Sequence, residues 1–112
     1  MEYNFNGKKF RITHIEGPDT EVNEKTIFHF HQENDVIWGE YSGGKVKLGR
    51  LIGIITGNKL KHNYIQINLN NEINSGEGNS TIQQIEESKL QIVEEWEWKS
   101  QTGKGKSVMT EL

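Results

Sequence analysis

The chain has 112 residues, a formal charge of −3 and no cysteine. That length suits a single domain, 1–112, with one core, and the missing cysteines exclude a disulfide framework, a thiolate nucleophile and a Cys-based zinc site. The basic residues, densest at Lys45, Lys47 and Arg50, are interspersed with acids and make no one-sided face of the kind a phosphate backbone requires. No nucleic acid partner is expected.

The N-terminal stretch "MEYNFNGKKF" has no signal-peptide core, and no apolar run approaches the roughly 20 residues of a membrane helix. A soluble, cytoplasmic protein with no membrane contact is the expectation. The chain contains no Ala and one Pro, whereas Ile, Val and paired Gly are frequent, a composition that disfavours helix and favours strands and tight turns.

In chain order, strand-length runs read as "KKFRITHI" (8–15), "KTIFHFHQ" (25–32), "VIWGEYS" (36–42), "KVKLGRLIGII" (45–55), "KLKHNYIQINL" (59–69), "GNSTIQQIE" (78–86), "LQIVEEWEWKS" (90–100) and "GKSVMTE" (105–111), with a short "YNF" before them. Turn signals separate them: Asn6-Gly7, Asn34-Asp35, Gly43-Gly44, Gly57-Asn58, "NSGEGN" at 74–79, "EESK" at 86–89 and "QTGKG" at 101–105. Only "GPDTEVNE" at 17–24 is long enough for a lid or a crossing loop. About eight antiparallel strands in an up-and-down meander close into a barrel, because closure removes exposed edges. The expected fold is therefore all-β, a single antiparallel β-barrel.

Hairpin geometry assigns the faces. With two-residue turns at Asn34-Asp35 and Gly43-Gly44, one face carries Phe28, Phe30, Ile37, Tyr41, Val46, Leu48, Arg50, Ile52 and Ile54 and reads as interior. His29, His31, Trp38, Glu40, Lys45 and Lys47 read as exterior. On 90–100, Leu90, Ile92, Glu94, Trp96 and Trp98 share the inward face. For 59–69, a strict two-residue Gly57-Asn58 turn sends Ile65 and Ile67 inward, and a longer loop or bulge sends His62, Tyr64 and Gln66; both registers stay open.

Two segments, "YSGGKVKLGRLIG" (41–53) and "EEWEWKSQTGKGKS" (94–107), together with "TIFHFHQ" and Tyr64-Ile-Gln66-Ile-Asn68, resemble a group of short bacterial proteins labelled N-acetylglutamate synthase. The resemblance covers most of the chain from Thr26 onward. The label implies acetyl transfer on an α/β fold with an acetyl-CoA loop at a helix N-terminus, and this sequence shows neither the helix pattern nor the loop. The architecture the resemblance points to is a small calycin-like (lipocalin-like) barrel.

Arg50 and Glu94 are the ionisable residues that the alternation puts on apolar faces. Such charges must pair or line a wet cavity. One reading is a site for a small polar or amphipathic ligand, with Arg50 as anion fork, Glu94 as acceptor or base, and Tyr41 and Tyr64 as hydroxyl partners; the other is a structural ion pair. Trp96 and Trp98 likewise read as an aromatic ligand box or as core packing.

His29 and His31 share a face at strand spacing, able to hold zinc if Glu40 or His62 supplies a third ligand; otherwise that face, with Trp38, is solvated or an association surface. The sequence has no Gly-x-Ser-x-Gly elbow and no dinucleotide fingerprint. Gly105-Lys106-Ser107 fails as a P-loop end, since Ser100 stands where a Gly is needed and five residues follow Ser107. The expected protein is a small-ligand-binding barrel with no cofactor, either monomer or homodimer; the alternatives are an enzyme with Glu94 as general base beside Arg50, and a non-catalytic homodimeric structural protein.

Overall fold

A computed structural model describes residues 3–86 and 88–112. Eight strands follow one another: β1 Lys9–Glu16, β2 Ile27–Glu33, β3 Val36–Gly43, β4 Val46–Thr56, β5 Lys59–Asn68, β6 Ile73–Glu86, β7 Lys89–Trp98 and β8 Lys104–Glu111. Each pairs antiparallel with its sequence neighbour, and β1 pairs β8, so the sheet is a closed up-and-down barrel of the calycin type. Closure leaves no free sheet edge to template aggregation.

Two halves of the interior differ. At one end the N-terminal segment folds under the barrel. There Phe5 packs on Phe10 and Phe30 with ring centroids 5.7 Å away, and its amide donates to Gln32 Oε1 at 2.8 Å. With Ile37, Ile82 and Ile92 these residues are completely or almost completely buried, each contributing about 1.5–3 kcal/mol of transfer free energy. The other end, under loops 17–26, 69–72 and 99–103, carries the polar interior.

The turn at Gly43-Gly44 corrects the face assignment. Gly43 pairs with Val46, and beyond it Tyr41 pairs with Gly49, so that Ser42 alone opposes Lys47 and Leu48. Pairing Gly43 instead of Tyr41 with Val46 shifts the register by two from the strict turn, which keeps the faces, and the bulge adds one more residue, which exchanges them. Leu51 and Ile55 point inward, whereas Leu48, Ile52 and Ile54 are 45%, 64% and 52% exposed. Arg50 lies outside as well.

Gly49 and Gly53 hide the true phase from hydropathy, since they occupy inward positions without an apolar side chain. A Cβ at Gly49 would collide with the Tyr41 ring, and one at Gly53 with the Lys61 carbonyl and His62. The exposed isoleucines therefore carry the visible alternation, on the wrong face.

The Gly57-Asn58 loop is the strict two-residue turn, with Thr56 opposite Lys59 and Gly57 at φ 60°, as a primed hairpin turn requires. It transmits the exchanged phase of β4 into β5. His62, Gln66 and Asn68 are buried, and Ile65 is 52% exposed. The turn placed at 74–79 is corrected too: the chain reverses at 69–72, with Asn71 at φ 62°, and "NSGEG" lies inside β6.

Candidate functional site

The open half of the barrel encloses a cavity of about 50 Å³, room for roughly three water molecules. Its wall combines Phe28, Leu51, Met109, Trp96 and Trp98 with His62, Tyr64, Gln66, Glu94 and Ser107, and Thr20, Glu21 and Val22 of the β1–β2 loop cover the mouth. Of the lid and the crossing loop that the length of 17–24 allows, its place at the cavity favours the lid.

Glu94 is the centre of the polar wall. Its Oε2 stands 2.6 Å from His62 Nε2, and its Oε1 accepts from the Ser107 hydroxyl at 2.8 Å. Burial pushes the Glu94 pKa up, but the His62 charge and the hydrogen bonds from His62 and Ser107 outweigh burial and hold it below the usual carboxylate value. Glu94 is therefore an ionised carboxylate at neutral pH, with both oxygens engaged.

Backbone placement makes the pair possible. His62 on β5 stands opposite Gly78 on β6, and Gly78 stands opposite Trp96 on β7, so His62 must reach across β6 to meet Glu94. A Cβ on Gly78 would strike Glu94 Oε2 and approach the His62 ring, and one on Gly76 would strike the Tyr64 hydroxyl. The "SGEG" stretch is a bare strip of strand over which three side chains meet.

A second chain of bonds joins the wall to the lid. Tyr41 donates its hydroxyl to Gln66 Oε1 at 2.7 Å, and Gln66 Nε2 donates to Glu21 Oε1 at 2.8 Å. The other Glu21 oxygen accepts from Asn68 Nδ2 at 2.6 Å and Asn74 Nδ2 at 3.1 Å. Trp98 Nε1 donates to the Pro18 carbonyl at 3.2 Å, fixing the start of the same loop. Burial, with Tyr64 and Glu94 nearby, pushes the Tyr41 phenol well up; burial and Glu94 do the same to Tyr64. Both phenols are neutral hydrogen-bonding groups.

Among the described residues, three buried side-chain atoms have no partner in the protein: His62 Nδ1, Ser80 Oγ and Trp96 Nε1. Two of them belong to residues of the cavity wall. His62 Nε2 is engaged by Glu94, so Nδ1 is the ring nitrogen left to meet a ligand, and Trp96 Nε1 offers a donor. Ser107 bonds the carboxylate and not the imidazole, which is not the order of a nucleophilic serine triad.

Of the residues expected at a site, Tyr41, Tyr64, Glu94, Trp96 and Trp98 come together around the cavity. Arg50 does not: it is exposed on the outer face and its Nη1 donates to the Gly49 carbonyl at 2.8 Å. The anticipated Arg50–Glu94 pairing is thus replaced by His62–Glu94. His62, considered as a metal ligand beside His29 and His31, is inside the barrel while they are outside. The sequence marks Ser107 only as a failed P-loop end and does not mark Glu21; Ser107 follows from extending the inward phase of Glu94 across the β7–β8 ladder, where the two are opposite.

The family model described as avidin-like protein matches residues 3–112. No curated protein matches the chain, and no solved structure does.

Proposed function

For a chain that belongs to the avidin-like protein family, we propose that the open half of the barrel binds one small ligand with an apolar body and a polar head. The observation that carries this is the pair of unpartnered buried polar atoms, His62 Nδ1 and Trp96 Nε1, on side chains that line an otherwise aromatic and aliphatic cavity. An unsatisfied buried polar group costs about 1–3 kcal/mol, and a ligand whose polar atoms meet these two groups relieves that cost. Eight-stranded barrels are just wide enough to hold one small ligand.

The ligand body would lie against Trp96, Trp98 and Phe28, with Tyr64 and His62 at its head. The Glu21 latch closes the lid over it. Arg50 has no part in this reading.

Native mass spectrometry of freshly purified protein tests it, followed by tryptophan fluorescence titration with small cyclic amides and ureas, biotin among them. A retained mass, or a saturable change weakened by Trp96→Phe and by His62→Ala but not by Arg50→Gln, supports the proposal. Absence of both signals for every probe defeats it.

The enzyme alternative, in which Glu94 acts as general base, is less well supported. A general base needs a free oxygen and a pKa near the working pH, whereas both Glu94 oxygens are engaged and its pKa is lowered. A homodimeric assembly has its own supporting observation: on the outside of the barrel Val36 faces Ile54 and Trp38 faces Ile52 across β3 and β4, an exposed apolar stripe. Sedimentation at rising protein concentration distinguishes monomer from dimer.

A further inference from the structure

On the outer wall, away from the cavity, His29 and His31 of β2 stand opposite Glu40 and Trp38 of β3. We infer that His29, His31 and Glu40 form a binding site for one divalent transition-metal ion of the zinc class. The three donor atoms lie within 4.8 Å of one another. His31 Nε2 is 2.7 Å from Glu40 Oε1, and His29 Nδ1 is 3.6 Å from the same oxygen.

Zinc held tetrahedrally by nitrogen and oxygen at about 2.0–2.1 Å keeps its ligands roughly 3.3 Å apart. The widest pair of donors therefore has to close by up to about 1.5 Å, and His31 Nε2 and Glu40 Oε1 have to open by about 0.6 Å. All three side chains are partly exposed, so rotamer changes supply that closure without moving the core. The backbone already does the positioning: residues two apart on one strand point the same way, and a directly opposite residue on the next strand joins them.

Further features favour this cluster over a chance grouping. The His29 and His31 rings lie 4.8 Å apart, and Trp38 stacks on His31 at 5.6 Å with an interplanar angle of 25°, which restrains one ligand before metal arrives. Two imidazoles and a carboxylate suit zinc, copper and nickel better than magnesium or calcium. Three protein ligands leave a coordination position for water or an outside ligand.

Two cations oppose binding: Arg50 stands opposite Glu40 on β4, and Lys9 opposite His29 on β1. The site is accordingly weaker than a structural zinc centre, and its strength responds to Arg50. This site is independent of the cavity and stands or falls separately from the ligand proposal.

The test is titration of the full chain with Zn2+ by calorimetry and with Co2+ by visible absorption. One equivalent should bind; His29→Ala, His31→Ala and Glu40→Gln should each weaken binding at least about tenfold, and Arg50→Gln should strengthen it several-fold. His14→Ala is the control, because His14 pairs with Glu16 at 2.9 Å on another part of the surface, and it should change nothing. On the unaltered chain, Co2+ should perturb the imidazole resonances of His29 and His31 and leave those of His62 in place. Lack of saturable binding, binding that survives both histidine variants, or equal loss in His14→Ala would each overturn the inference.

Discussion

His62 and Glu94 meet 2.6 Å apart inside the barrel although a whole strand, β6, runs between the strands that carry them. The meeting depends on Gly78. Substitution Gly78→Ala drives a methyl group into Glu94 Oε2 and the His62 ring. The expected cost is about 1–3 kcal/mol from overpacking, read as a lower midpoint in urea unfolding. Gly57→Ala, where a Cβ meets nothing within 4 Å, tests positive φ alone and should cost less.

Removing one member of the pair should be worse than removing both. His62→Ala leaves the buried Glu94 carboxyl with only Ser107 as partner, and about 3–5 kcal/mol of stability should be lost. The double variant His62→Leu with Glu94→Leu replaces the pair by apolar volume, and it should recover a large part of that loss. Equilibrium unfolding of the three proteins in urea, at one pH, checks the order.

The same carboxylate gives the pH dependence a sign. Glu94 has a folded pKa below its ordinary value of 4.5, so the unfolded chain binds the proton first as pH falls. Its contribution to stability is complete at pH values above 4.5 and is lost as pH falls through the depressed folded value. Glu94→Gln should flatten the acid limb of a stability-against-pH curve. An acid limb unchanged by that substitution would refute the assignment.

At high pH the phenols act in the opposite sense. Tyr41 and Tyr64 have raised folded pKa values, so the unfolded chain releases these protons first and stability falls as pH climbs past about 10. Ultraviolet titration should show two phenols that stay protonated while the barrel is folded. They should ionise together with alkaline unfolding, monitored by circular dichroism.

The lid has a separable role. Glu21→Ala removes the acceptor shared by Gln66, Asn68 and Asn74, and charge-assisted hydrogen bonds of this kind are worth about 1.5–3 kcal/mol. Amide hydrogen exchange in 19–24 should accelerate roughly tenfold or more, which is about 1.4 kcal/mol per decade. The core strands β6 and β7 should keep their protection.

The strands and the barrel were legible because their signals are local. A two-residue turn such as Asn34-Asp35 fixes its own hairpin, and the alternation of Leu90, Ile92, Glu94, Trp96 and Trp98 is read within one strand. Those residues are buried as expected. So are Phe28, Phe30, Ile37 and Tyr41, which lie on the near side of the bulge.

The faces of β4 and β5 were not legible. Their phase depends on whether one extra residue opposes Ser42, and in the register that results the Tyr41 ring fills the space over Gly49. Glycine was the ambiguous letter: it marks a turn at Gly57, but at Gly49, Gly76 and Gly78 it marks the place where another strand's side chain needs room.

The sequence alone determined an all-β meander with Glu94 and two tryptophans facing inward, because period-two patterning and turn chemistry act over a few residues. Only the tertiary structure decided that His62, and not Arg50, meets Glu94. That choice is made by cross-barrel packing between residues 32 positions apart, where one bulge reverses every side chain beyond it.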